Sequence, residues 1–171
     1  MTASVCSPTA STPHAFVADA MLGRLARWLR MLGYDTAYQN AITDQELIER
    51  ARGEGRWVLT CDRYLAKRKL LHGRHTVVSS DHLIDQLRQL HRELNITVTV
   101  GSMTASRCPL CNGMLELVSR EKAAPNVPRY VATQHEHFSQ CTSCGRIYWP
   151  GTHWANFHRV LARVRETPER S

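Results

Sequence analysis

The stretch FVADAMLGRLARWLRMLG, Phe16 to Gly33, decides how the rest of the chain is read. Phe16-Val17-Ala18 is a short apolar strand that stops at Asp19. From Met21 to Leu32 the apolar residues Met21, Leu22, Leu25, Trp28, Leu29 and Leu32 recur at helical spacing, which predicts a helix with one buried face. Arg24, Arg27 and Arg30 fall off that face, and Gly33 is a natural stop. The unit is strand, acid, helix with basic residues.

The same order repeats downstream. Tyr34 to Tyr38 reads as a second strand. Thr43 and Glu46 match a capping box that opens a helix with Leu47, Ile48 and Ala51 inward. Trp57 to Thr60 is a strongly apolar strand ending at Cys61-Asp62, and a basic helix follows over Tyr64 to Leu71. His75 to Ser79 gives another strand, ahead of Ser80-Asp81 and a helix carrying Leu83, Ile84, Leu87, Leu90 and Leu94. Ile96 to Val100 alternates apolar residues with Thr and is a candidate last strand. Repeated strand and helix predict the α/β class, a parallel sheet flanked by helices, with its ligand site outside the carboxyl ends of the strands. Asp19, Asp62 and Asp81 follow predicted strands and Asp44 begins a helix. Four carboxylates are therefore candidates for one sheet edge.

Clustered carboxylates repel one another unless cations sit between them. Mg²⁺ and Mn²⁺ take carboxylate and water oxygens, and two such ions about 4 Å apart activate a water and stabilise the leaving oxygen of a phosphodiester. Such a substrate is an anion, so basic side chains must flank the acids. Arg24, Arg27 and Arg30 follow Asp19; Arg63, Lys67, Arg68 and Lys69 follow Asp62. Blander roles compete. Asp44 suits the helix dipole, Glu46 is accounted for by the capping box, and Asp81 can simply begin its helix. Asp19 and Asp62 end apolar strands and have no obvious cap role. An arginine stripe alone is most often a solvated face.

Composition agrees with a folded chain. Of 171 residues 43% are apolar and 22% charged, which excludes a disordered polyelectrolyte. The net charge of +7 favours a polyanionic partner. Residues 1–100 hold thirteen basic against ten acidic residues, residues 101–171 nine against five, so the first part is rich in both signs. No run approaches the ~18 apolar residues of a membrane span. Met1 to Pro13 lacks the features of a secretory signal and reads as a tail; a cytoplasmic location with reduced thiols is the expectation.

The last third is organised by cysteine. Cys108-Pro109-Leu110-Cys111-Asn112-Gly113 and Cys141-Thr142-Ser143-Cys144-Gly145 look like two knuckles, each bringing two thiolates to one tetrahedral ion and turning at the Gly after its second Cys. Four thiolates favour a structural Zn²⁺ with a closed shell. A redox dithiol rarely comes duplicated; an iron–sulfur cluster also takes four Cys. The residues between the pairs leave room for a hairpin and a loop around Pro125 and Pro128. His135 and His137 read as ordinary or RNA-contacting residues. The aromatic run Ile147 to Trp154 reads first as a small core and second as a base-stacking surface. Trp154 to Arg165 fits an amphipathic helix with Phe157, Val160, Leu161 and Val164 inward. The division expected is a tail (1–13), a nuclease-like domain (14–100), a linker (101–107) and a zinc ribbon with a C-terminal helix (108–171).

Taken together, Phe16 to Arg30, Thr43-Asp44-Gln45-Glu46-Leu47, Leu59-Thr60-Cys61-Asp62-Arg63 and Tyr148-Trp149-Pro150-Gly151-Thr152-His153 resemble the Mut-seven C-terminal RNase domain family. That family joins a PIN-like nuclease fold to a C-terminal zinc ribbon. The resemblance implies metal-dependent RNA hydrolysis with Asp19, Asp44 and Asp62 as Mg²⁺ or Mn²⁺ ligands, and either Asp81 or Glu46 as a fourth acid or a three-acid site. Tyr64 stands where some PIN-like relatives carry another Asp. The family strand usually reads Thr-Arg-Asp, whereas this chain has Thr60-Cys61-Asp62. Arg24, Arg27, Arg30 and Arg63 are candidates for binding RNA phosphates, and the ribbon for orienting structured RNA such as tRNA or rRNA. A non-catalytic RNA-binding adaptor is the alternative. A phosphoacceptor domain ranks below both, because no Lys follows the strand His75–Ser79 or lies near Ile96–Val100.

Overall fold

The computed structural model describes residues 15–71, 73–99 and 106–166. The expected tail and residues 101–105 of the expected linker lie outside these. Strands β1 (Ala15–Ala18), β2 (Asp35–Tyr38), β3 (Trp57–Thr60) and β4 (His75–Val77) form one parallel sheet in the order β2-β1-β3-β4. Phe16 pairs with Thr36 on one side and Trp57 on the other, and Leu59 pairs with Thr76. Helices α1 (Gly23–Met31), α2 (Asp44–Gly53), α3 (Arg63–Ala66) and α4 (Leu83–Leu94) follow the strands in turn. The remaining elements are β5 (Leu115–Val118), α5 (Arg120–Ala123), α6 (Arg129–Gln134), β6 (Phe138–Cys141), β7 (Ile147–Tyr148) and α7 (Thr152–Arg165).

Successive side chains of a strand point to opposite faces, and this splits the core in two. Phe16, Ala18 and Leu59 meet Leu25 and Leu29 of α1, Leu87 and Leu90 of α4, and Phe157, Leu161 and Val164 of α7. Val17, Ala37 and Val58 face the other way, onto Leu47, Ile48 and Ala51 of α2, Leu65 of α3 and Leu71. Each fully buried Leu contributes about 1.5–3 kcal/mol relative to exposure, so the first face carries most of the cohesion.

The capping box is present: Thr43 Oγ1 accepts from the Glu46 amide at 3.3 Å while Glu46 Oε2 accepts from the Thr43 amide at 2.8 Å. Three other expectations change. The basic helix after β3 splits into α3 and a single 3-10 turn, Lys69–Leu71. The expected last strand, Ile96 to Val100, is not one over Ile96–Thr99, and Val100 lies outside the described residues. Ile96 and Val98 are buried in the first core, but the backbone groups between them pair with side chains: Thr97 N–H donates to Tyr34 Oη at 2.6 Å, and Ile96 O lies 2.7 Å from His91 Nδ1. The third change concerns α7. Its apolar stripe is the expected one, but it packs on α1 and α4, not on the cysteine module with which the sequence groups it. Trp28 and Phe157 pack with their rings tilted by 42° and centroids 4.8 Å apart, and the Arg88 guanidinium of α4 donates to Arg163 O at 2.6 Å and Glu166 O at 3.1 Å, meeting the open carbonyls of the α7 end.

The cysteine module is a small antiparallel sheet in the order β5-β6-β7, with Leu115 opposite Cys141 and Ser139 opposite Tyr148. Between the cysteine pairs, β5 and β6 pair as antiparallel strands, and the chain that joins them around Pro125 and Pro128 holds two short helices and a 3-10 turn. The module docks on β2, an edge strand whose outward backbone groups need partners. Thr36 N–H donates to Asn112 Oδ1 at 3.0 Å, and Thr36 O accepts from Arg30 Nε at 2.8 Å. Arg30 also donates to the carbonyls of Pro109 and Leu110, both at 3.0 Å. No helix among the described residues is long and apolar enough to cross a membrane.

Candidate functional site

The carboxyl ends of the four parallel strands share one edge of the sheet. Asp19 directly follows β1, Cys61-Asp62 follows β3, and Asp81 follows the end of β4 by four residues. Thr60, the last residue of β3, links the first two acids. Its hydroxyl donates to Asp19 Oδ2 at 2.6 Å and accepts from the Asp62 amide at 2.9 Å. Thr60 is fully buried, so this hydroxyl has no water to fall back on and holds both loops at one distance from the strand end.

Asp19 and Asp62 both have cap roles that their sequence context does not announce. Asp19 Oδ1 accepts from the Ala20 amide at 2.6 Å, and Asp62 Oδ1 accepts from the Tyr64 amide at 2.6 Å. Each carboxylate is therefore oriented by the helix turn it opens. Burial first, then the charges of Asp19 and Asp81, push the Cys61 thiol above the ordinary range. It is a neutral thiol at neutral pH, not a nucleophile. Asp81 itself is exposed, and the residue before α4 is His82.

Asp44 opens α2, exposed, and lines a depression with Arg52 and Arg68. No hydrogen bond or ion pair among the described residues joins it to Asp19 or Asp62. Glu46 is committed to Thr43, whose backbone and hydroxyl hold its carboxyl below the usual range. The only group of three or more candidate ligands within 4.8 Å of one another, among the described residues, is a set of cysteines; the four aspartates do not form one.

The basic residues divide as well. Arg24, Arg27 and Arg63 are exposed. Arg30 departs from the phosphate-binding expectation: it is 4% exposed and its guanidinium is spent on three carbonyls. Gly23 shows why α1 can start so close to β2. A Cβ there would stand 2.6 Å from Tyr38 Cζ, and the Tyr38 hydroxyl donates to Ala20 O at 3.0 Å, closing the ring over the turn beside Asp19.

The second site is the cysteine cluster. Cys108, Cys111, Cys141 and Cys144 bring their sulfurs within 4.8 Å of one another. Cys108 Sγ lies 3.7 Å from Cys144 Sγ, and Cys111 Sγ 3.4 Å from Cys141 Sγ. A tetrahedral ion with bonds of about 2.3 Å sets sulfurs about 3.8 Å apart, so the arrangement fits Zn²⁺. Cys108 and Cys141 are buried, Cys111 and Cys144 exposed. His135 and His137 are not in the group. The knuckles turn through equivalent left-handed residues, Asn112 with φ 69° and Gly145 with φ 71°, so the first uses Asn and not the Gly expected there. Gly113 is needed for another reason: a Cβ there would lie 2.8 Å from Cys141 Sγ, inside the other knuckle.

Four thiols without a cation cannot ionise together. Burial and its cysteine neighbours push Cys111 up to about 12. Burial also opposes ionisation of Cys108, but the Tyr148 hydroxyl 3.0 Å from its sulfur helps bring it down to about 7. Tyr148 and Thr60 are the two positioning residues the sequence reading did not single out in these roles. A polar residue closing an apolar strand just before Asp62 was the available cue for Thr60.

Comparison with curated proteins and with solved structures gave no match. The family model for the Mut7-C RNAse domain matches residues 14–161, from β1 through the cysteine module into α7. That span takes in both sites and nearly every described element, and the chain belongs to the Mut7-C RNAse domain family.

Proposed function

We propose that this chain is a Mg²⁺- or Mn²⁺-dependent ribonuclease of PIN-like type, cutting RNA phosphodiesters at the carboxyl edge of the parallel sheet. The observation that carries the reading is Thr60, a buried hydroxyl that fixes Asp19 and the Asp62 loop together. Asp19, Asp44 and Asp62 would hold the divalent ion, with Asp81 as the fourth acid; carboxylate oxygens are the donors such ions prefer. A bound ion of this kind supplies an activated water and charge stabilisation at the departing oxygen. The chain's own contribution is orientation. Asp19 and Asp62 are held by the turns they cap, and exposed Arg24, Arg27 and Arg63 offer guanidinium forks to the flanking phosphates. The zinc ribbon would help hold structured RNA, such as tRNA or rRNA, in the cytoplasm. The working division is a nuclease unit over 14–100 and a ribbon beginning at Cys108.

Cleavage of a labelled RNA with and without Mn²⁺ tests the reading, alongside Asp19→Asn and Asp62→Asn. Each substitution is expected to lower the rate at least 10²-fold. If both cleave like the parent, the assigned site is wrong. One observation favours the non-catalytic adaptor: the aspartates do not converge into a tight ligand set. That reading requires RNA binding that survives both substitutions and no cleavage at any Mn²⁺ concentration.

A further inference from the structure

At the far end of α1 from Asp19, a cavity of about 610 Å³ opens between α1, the first knuckle, β7 and the start of α7. One 3-10 turn and the nine residues of α1 separate Asp19 from Met31 in its wall, roughly 20 Å, so it is not part of the acidic edge. The lining is unusual in two respects. Tyr148, Trp149 and Trp154 supply three aromatic faces, and Arg107, Arg146 and His153 stand around them, with no carboxylate among the described lining residues. Neither indole N–H of Trp149 and Trp154 has an acceptor among the described residues. Arg107 is engaged, 3.7 Å from Asp35 and donating to Asn112 O at 3.0 Å. Arg146 and His153 are exposed and make no ion pair among the described residues.

A cavity with aromatic walls, unpaired donors and only positive charge complements a ligand that is aromatic, rich in acceptors and anionic. The size is that of a small-molecule site. We propose that this cavity is a nucleotide subsite, in which one unpaired base of the RNA strand stacks on Trp149 and Trp154 while Arg146 and His153 meet its phosphate. The inference rests on RNA being the substrate and deepens it: a duplex hides its base faces, so the subsite selects strands with a single-stranded segment some 20 Å from the cut. The wall is rigid where it must be, since the Ser106 hydroxyl donates to Met31 O at 2.8 Å and Tyr148 lies against Cys108.

The test uses full-length, zinc-loaded Asp19→Asn protein and a single-stranded oligoadenylate of about ten nucleotides, within the range one such surface spans, against a duplex of equal length. Tryptophan fluorescence is expected to be quenched by the single strand. Trp149→Leu is expected to weaken single-strand binding about 5- to 150-fold, the loss of one stacked base, with no effect on the duplex, and Arg146→Glu is expected to weaken single-strand binding by removing a phosphate contact. Equal losses for both nucleic acids, parent-like binding by either variant, or quenching that arises only from self-association would overturn the subsite. Should Trp149→Leu lose its zinc, Arg146→Glu and His153→Ala, both on exposed residues, decide the matter. Cleavage by the protein with Asp19 intact separates the two readings: normal cleavage with unaffected variants removes only the subsite, while absent cleavage with weakened variants removes only the nuclease.

Discussion

The parallel-sheet part and the cysteine module hold themselves together by different means. The first buries two continuous apolar clusters, one on each face of its sheet. The second buries only small groups, Ala123, Val131, Phe138 and Ile147 in one and Leu115 with two cysteines in another. A core of that size cannot offset chain entropy by itself, so docking to β2, and a metal ion that the four cysteines could hold, become the module's other supports. The sheet part can accordingly present bare acids at its edge, because its stability comes from elsewhere. In the module two of the four cysteines, Cys108 and Cys141, are themselves part of the small core.

Breaking this contrast starts with the metal. Chelation, or Cys141→Ser, is expected to unfold β5–β7 while the helices over α1 and α4 persist; comparable thiolate sites contribute about 10–16 kcal/mol. Hydrogen exchange read segment by segment checks it, and one cooperative loss of all protection would show that the halves are a single unit. Arg30→Ala comes next. It leaves three carbonyls without their donor, at about 1–3 kcal/mol each, and Arg30→Lys is not expected to restore a fork that reaches Thr36, Pro109 and Leu110 together. Urea unfolding of both variants measures the seam between the halves.

Asp35 sharpens the same seam through pH. Burial would raise its carboxyl, but hydrogen bonds from Arg56 and Asn112 win and hold it below the usual carboxylate range. A lowered folded-state value means stability that is complete above the unfolded value and disappears as pH falls through the folded one. Asp35→Asn is therefore expected to cost about 1.5–3 kcal/mol at neutral pH, with the difference from the parent closing under acid conditions. Equal destabilisation at every pH would show that the cost is packing and not charge. The smallest stability effect is expected from Thr60→Val, about 1–3 kcal/mol by melting, because only one hydroxyl is lost. Its cleavage rate is expected to fall by far more than that cost implies, since Asp19 and the Asp62 loop lose their common partner.

Much of this was readable before any coordinates. The strand Trp57–Thr60, the capped helix from Thr43, the inward stripe of α7 and the paired cysteines each rest on local pattern, and local pattern is what a sequence carries. The failures have one cause in common. Ile96 to Val98 alternates like a strand, but alternation reports only which side chains are buried; His91 and Tyr34, both outside the segment, took its backbone groups. Arg30 looked like one more arginine of a stripe, and only the arrival of the Pro109–Leu110 carbonyls made it a buried seam residue.

The sequence by itself determined the periodicity of the helices, the strands that end in acids and the two cysteine pairs that could hold one metal ion, because each follows from neighbours along the chain. Only the tertiary structure decided that α7 belongs with α1 and α4, that Thr60 joins Asp19 to the Asp62 loop, and that Trp149, Trp154 and Arg146 surround one cavity. Those relations pair residues far apart in the chain, and packing, not propensity, chooses such partners.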